Sequence, residues 1–130
     1  MPMDRASASE QSMASHLALV ACRSGRGNGH LVNELMRVVY LGWFLQRAGY
    51  GSCPAEQFRI AGYAVEATLS HARECGEWRL PPGTIVDFEA LLALYDSQLA
   101  SAPLHEVRAA EQKLRAFLAG ASRSPIPADA

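Results

Sequence analysis

Two side chains that commonly bind metal ions stand four residues apart in one predicted helix. This spacing places His71 and Cys75 on the same helical face. Thiolate and imidazole are both good zinc ligands, so the pair supplies half of a zinc site. A closed site needs two further ligands, and no nearby residue pattern marks them. The alternative is a histidine that stabilises the negative end of the helix dipole beside a buried thiol. We therefore predict neither a metal nor any other cofactor.

The cysteines argue for a reducing environment and against a hydrolase. Cys22, Cys53 and Cys75 are widely spaced and form no C-x-x-C pair, so we expect free thiols. A cysteine hydrolase would need a thiol, a histidine and an orienting group brought together in a pocket, and no local pattern marks a nucleophile. The carboxylates of Asp87 and Glu89 point to different sides of a helix. The sequence leaves catalysis undecided and favours a protein without it.

A glycine-rich segment, Gly-Arg-Gly-Asn-Gly at 25–29, precedes a predicted helix. Backbone N–H groups at a helix N-terminus can bind phosphate. However, the dinucleotide fingerprint also needs a preceding strand and a βαβ unit, and a P-loop needs G-K-[ST]. The sequence has neither, so we interpret this segment as a connector.

DNA binding is an alternative function suggested by a turn and by scattered basic residues. The segment 49–53, with two glycines, has roughly the shape of the turn in a helix-turn-helix motif. A DNA-binding transcriptional regulator would have to bring four arginines onto one surface: Arg47, Arg59, Arg73 and Arg79. The chain has 12 Lys and Arg against 13 Asp and Glu, and the helix after the turn begins with acidic Glu56. Charge therefore does not favour nucleic acid.

Hydrophobic periodicity predicts an all-α fold, a compact bundle of four principal helices with a short additional helix at the N-terminus. The principal helices are expected at about 30–48, 54–75, 85–100 and 104–119, and the short one at about 13–23. No segment reaches the ~18 apolar residues of a membrane span, so we predict no membrane association.

Local signals predict how these helices begin, end and connect. Gly49 stands where a left-handed terminator is needed, and Gly76 ends the third helix. Thr84 followed by Asp87 fits a capping box that starts a helix at Ile85. The short link at 101–103 predicts that the last two helices form an antiparallel hairpin.

The helix at 30–48 is apolar in nearly every direction around its axis. Such a helix is buried on several sides, either by the other helices or by a second copy of the chain. We predict a homodimer contact through four of its residues: Val39, Tyr40, Trp43 and Phe44. A second alternative function is small-molecule binding, in a pocket lined by Tyr40, Trp43, Phe44 and Tyr63.

The chain of 130 residues fits one domain, with 49% hydrophobic and 19% charged residues. We predict a flexible N-terminal segment at 1–12, one helical-bundle domain at 13–120 and a flexible proline-containing tail at 121–130. The N-terminal residues do not fit a secretory signal, which predicts a cytoplasmic protein. The prediction is thus a small soluble protein-interaction module that associates with itself.

Overall fold

The computed structural model describes residues 5–24, 26–81 and 83–120, which contain five α-helices and no strand. The helices are α1 (Arg5–Arg23), α2 (Gly29–Arg47), α3 (Ala55–Cys75), α4 (Ile85–Ser101) and α5 (Leu104–Ala119). The all-α prediction is confirmed. In the part of the chain described, no helix combines the length and apolar character needed to cross a membrane.

Helix α1 is much longer than the short helix that the sequence pattern predicts. It has 19 residues and begins at Arg5, not near Met13, so residues 5–12 are helical where we expected a flexible segment. The Tyr95 hydroxyl in α4 donates a hydrogen bond to Gln11 Oε1 at 2.9 Å, which anchors this part of α1. The partner lies 84 residues away, so no local pattern reveals it. Residues 1–4 and the predicted tail at 121–130 lie outside the described residues.

Helix α2 is the central element of the fold. It packs against all four other helices, and nine of its 19 residues are buried. The Asn28 side chain accepts a hydrogen bond from the Leu31 N–H at 2.9 Å and so caps its first turn. After the helix, Gly49 takes the positive φ predicted for it, at 103°. Five helices of 16–21 residues, four of them packed against α2, replace the expected arrangement of four helices plus a short first one.

Helix α5 packs against α2 and not along α4, which corrects the predicted antiparallel hairpin. The backbone is extended at Ala102 and Pro103, with ψ of 137° and 147°, and this conformation turns the chain away from α4. The predicted start of α4 at Ile85 is confirmed, but the capping box is not formed. The Thr84 hydroxyl instead donates to the carbonyl of Pro81 at 2.7 Å.

A buried amide connects α4 to α2 and to the loop that follows it. Gln98 is almost completely buried, and its Nε2 donates to the carbonyl oxygens of Gly42 at 3.0 Å and Tyr50 at 2.7 Å. Next to it, Phe58 of α3 meets Trp43 edge to face, with ring centroids 5.5 Å apart. These contacts fix the positions of α2, α3 and α4 relative to one another.

Candidate functional site

The residues predicted to form a dimer contact lie inside the folded chain. Val39, Tyr40 and Trp43 are 1%, 3% and 5% exposed, and Phe44 is half-buried. The prediction assumed that the other helices would leave part of the apolar surface of α2 uncovered. Instead, four helices pack against α2. A second copy of the chain therefore cannot reach the three buried side chains while the fold stays closed.

The four arginines proposed for DNA binding are spread over α2, α3 and the loop that follows α3. Arg59 and Arg73 lie 14 residues apart on the continuous helix α3, a distance of ~21 Å. Glu66 lies midway between them on the same helical face, so acidic and basic charges alternate there. Arg47 lies over the ring of Trp43, 5.7 Å from its centroid. This distribution does not favour nucleic acid binding.

The aromatic residues considered for a small-molecule pocket face different directions. Tyr40 packs edge to face against Phe117 of α5, with centroids 5.9 Å apart, whereas Trp43 packs against Phe58. Tyr63 is exposed to solvent. Two of these aromatics are core residues, which is their commonest role at helical spacing.

Gly27 of the glycine-rich connector packs closely against the end of α1 and the loop after α3. A side chain at Gly27 would place its Cβ 2.7 Å from Cys22 Sγ and 2.8 Å from the Trp78 carbonyl oxygen. At Gly29 the nearest neighbour of a Cβ would be the Trp78 ring. Close packing thus explains Gly27 without a phosphate, whereas a Cβ at Gly29 would meet the Trp78 ring at an ordinary contact distance of 3.4 Å.

Three large, exposed apolar side chains of the described surface lie on α1. Met13, Leu17 and Val20 are 65%, 61% and 62% exposed, and their spacing of four and three residues aligns them on one face. We call these three residues the α1 stripe. Residues 13–22 contain no Asp, Glu, Lys or Arg. Single exposed apolar residues are ordinary, but an aligned set suggests a contact surface.

Three potential metal ligands come together at the C-terminal end of α3. His71 Nε2 lies 3.1 Å from Cys75 Sγ and 3.5 Å from Glu77 Oε2, and the three ligand atoms all lie within 4.8 Å of one another. All three residues are exposed. We call them the α3 cluster. A neighbouring groove of about 340 Å³ is lined in part by His71, Glu77 and Arg79.

The backbone at the end of α3 brings the third residue to the first two. The helix places His71 and Cys75 one turn apart, and it ends at Gly76, whose φ is +77°. The Gly76 N–H donates to the Ala72 carbonyl at 2.8 Å, and the chain reverses there so that Glu77 lies next to His71. The sequence analysis identified the histidine and cysteine and missed Glu77, because this residue follows the helix and shares no periodicity with it.

We expect Gly76→Ala to lower the free energy of unfolding by about 1 kcal/mol, because alanine is strained at a positive φ. A Cβ at this position would meet no atom within 4 Å, so the penalty comes from the backbone alone. Gly76→Asn is the control and should cost less, since asparagine tolerates this conformation. Urea denaturation measures both variants. An alanine variant as stable as the parent would contradict the left-handed cap.

The α3 cluster lacks the geometry of a catalytic triad. In a triad, one imidazole nitrogen contacts the nucleophile and the opposite nitrogen contacts the orienting carboxylate. Here Cys75 Sγ and Glu77 Oε2 both approach the same nitrogen, Nε2 of His71. Three electron-pair donors that converge on one region suit a cation better than they suit proton transfer along a relay.

The other two cysteines have less accessible thiols. Burial raises the pKa of the Cys22 thiol, which is part of the hydrophobic core, and so disfavours the thiolate. Burial also raises the pKa of the half-buried Cys53 thiol, which donates to Gln57 Oε1 at 2.7 Å. Cys75 is the exposed thiol of the three.

Comparison with known proteins adds no family to these observations. The chain matches no protein-family model, no curated protein and no solved structure.

Proposed function

We propose that this protein is an interaction module of the cytoplasm that forms a homodimer through the α1 stripe. The observation that supports the proposal is the exposure of three large apolar side chains on one uncharged face of α1. Water contact with such a face is unfavourable, and association removes it. The proposal keeps the expected self-association and moves the contact from α2 to α1.

A second copy of the chain fits the α1 stripe because the face is complementary to itself. When two copies of α1 pair antiparallel about a twofold axis at Leu17, residues at equal distances before and after Leu17 face one another. Met13 then faces Ala21 of the partner subunit, and Val20 faces Ala14 of the partner subunit. Large side chains therefore meet small ones along the contact.

The size of the α1 stripe predicts a weak dimer. The axial distance from Met13 to Val20 is ~10 Å, since each helical residue rises 1.5 Å. Stable complexes bury about 800 Å² on each partner, more than three side chains provide. We therefore expect a dissociation constant of about 1–100 μM and exchange between monomer and dimer.

The cytoplasmic part of the proposal is supported by the cysteines. Cys22, Cys53 and Cys75 are all free, as expected of a protein in a reducing compartment.

Leu17→Lys is expected to abolish self-association, because two ammonium groups would face each other across the twofold axis. Sedimentation velocity over a concentration series measures this effect. The parent chain should shift toward the dimer at higher concentration, and the variant should stay at 14.1 kDa throughout.

Leu118→Lys is the matched control for this experiment. Leu118 is another exposed leucine, 52% accessible, but it lies on α5. This variant should dimerise like the parent. A parent chain that remains monomeric at high micromolar concentration would overturn the proposal, and so would equal loss of the dimer in both variants.

A further inference from the structure

We propose that the α3 cluster is a zinc site in which His71 Nε2, Cys75 Sγ and Glu77 Oε2 are the ligands. Nitrogen, thiolate sulfur and carboxylate oxygen are the three donor types that zinc accepts in proteins. The cluster supplies one of each from a segment of seven residues, and all three atoms lie within 4.8 Å of one another. The site is at the end of α3 and is independent of the proposed dimer through α1.

The observed distances are close to those of a tetrahedral zinc complex. With bonds of about 2.3 Å to sulfur and 2.1 Å to nitrogen or oxygen, tetrahedral angles separate sulfur from nitrogen by ~3.6 Å and nitrogen from oxygen by ~3.4 Å. The corresponding distances here are 3.1 Å for Cys75 Sγ to His71 Nε2 and 3.5 Å for His71 Nε2 to Glu77 Oε2. The third separation, from Cys75 Sγ to Glu77 Oε2, is within 4.8 Å, and all three side chains are exposed and so have room to rotate toward a shared ion.

Three protein ligands leave the fourth coordination position of zinc open. Closed structural zinc sites use four protein ligands, whereas three ligands and a water molecule are typical of open sites. The side chains of His71 and Glu77 are 52% and 61% exposed, so the ion can enter directly from solvent. On binding, the Cys75 thiol loses its proton to solvent and the resulting thiolate forms the bond to zinc, while His71 binds as the neutral imidazole.

Titration of the purified, reduced full chain with Co²⁺ alone tests the ligand set, because cobalt replaces zinc and its thiolate complexes absorb light by charge transfer. We expect one Co²⁺ per chain with this absorption, and its displacement by Zn²⁺. Cys75→Ser should abolish the charge-transfer band. Cys53→Ser, the same substitution at a cysteine outside the cluster, should retain it, since serine can still donate to Gln57.

The other two ligands are tested through the zinc affinity. We expect His71→Asn and Glu77→Gln each to weaken zinc binding at least about tenfold, because even residues that only orient a ligand contribute ~10–100-fold. His105→Asn is the control, since His105 is an exposed histidine outside the cluster. Circular dichroism of each variant without metal should match the parent, because the side chains of His71, Glu77 and His105 are exposed.

The rate of Cys75 alkylation provides a measurement that does not use cobalt. Zinc should protect this exposed thiol in the parent and fail to protect it in Glu77→Gln. The proposal is overturned if the chain binds no metal at micromolar concentration, if the charge-transfer band survives Cys75→Ser, or if the His71 and Glu77 variants bind zinc like the parent. These outcomes are independent of the oligomeric state, so they do not depend on the proposed dimer.

Discussion

Gln98→Glu is expected to destabilise the fold by at least about 4 kcal/mol at pH 7. The side chain is almost completely buried, and its Nε2 donates to the carbonyl oxygens of Gly42 and Tyr50. A carboxylate would place negative charge against both carbonyls without a cation to pair with it. Natural domains are stable by only ~5–15 kcal/mol, so this loss is a large part of the total.

The effect of Gln98→Glu should depend on pH in a defined direction. Burial raises the pKa of the new carboxyl in the folded state above its unfolded value of ~4.3. The folded state then binds more protons than the unfolded state, so the variant loses stability as pH rises above ~4.3, by ~1.4 kcal/mol per unit. Fully buried glutamates reach pKa values of ~8–9, so the loss continues over the ~2.7 units to pH 7 and amounts to about 4 kcal/mol. Below ~4.3 the neutral acid still donates one of the two original hydrogen bonds.

Urea denaturation at several pH values gives the free energy of unfolding of the parent and of the variant. The difference between these two free energies is then compared across pH. Gln98→Leu is the control, because it removes both donors without adding an ionisable group. The free energy of unfolding of Gln98→Leu should differ from that of the parent by the same amount at pH 4 and at pH 7. If the stability difference between Gln98→Glu and the parent were equally independent of pH, the prediction would be wrong, and solvent would have to reach this position.

Phe58→Ala is expected to lower the free energy of unfolding by about 3–5 kcal/mol. Phe58 is fully buried between α3 and α2, and it packs edge to face against Trp43. Alanine removes the ring contact and leaves a cavity beside Gly42, where a Cβ would lie 3.3 Å from the Phe58 ring. The surrounding helices cannot close such a cavity completely.

Tyr63→Ala is a matched control for Phe58→Ala. It removes an aromatic ring from the same helix, but Tyr63 is exposed to solvent, so we expect a change within about 0.5 kcal/mol. Guanidinium denaturation followed by tryptophan fluorescence measures both variants. Equal losses at the two positions would contradict the packing of α3 on α2.

Several helix bounds follow from local signals. The hydrophobic spacing of α3 and α5 and the glycines at their ends predict these helices to within about one residue of the observed bounds. Gly49 has the predicted positive φ, a conformation that few other residues adopt, and Gly76, predicted only to end its helix, has a positive φ as well. Helix bounds and glycine conformations depend on interactions between residues that are close in sequence.

The positions of α1 and α5 do not follow from hydrophobic periodicity. The link at 101–103 is short enough for a hairpin, but extended backbone at Pro103 directs α5 onto α2. Residues 5–12 lack an apolar pattern, and the hydrogen bond from Tyr95 to Gln11 holds part of α1 against α4. A local pattern contains no information about a partner 84 residues away.

The sequence by itself determined the helical class of this protein and the burial of α2, because a helix that is apolar on every side must be covered. Only the tertiary structure decided what covers it, since packing within the chain and pairing between chains remove the same apolar surface from water. The same distinction applies to the α3 cluster. The spacing of His71 and Cys75 places them on one face, while the chain reversal at Gly76 brings Glu77 within 3.5 Å of the imidazole.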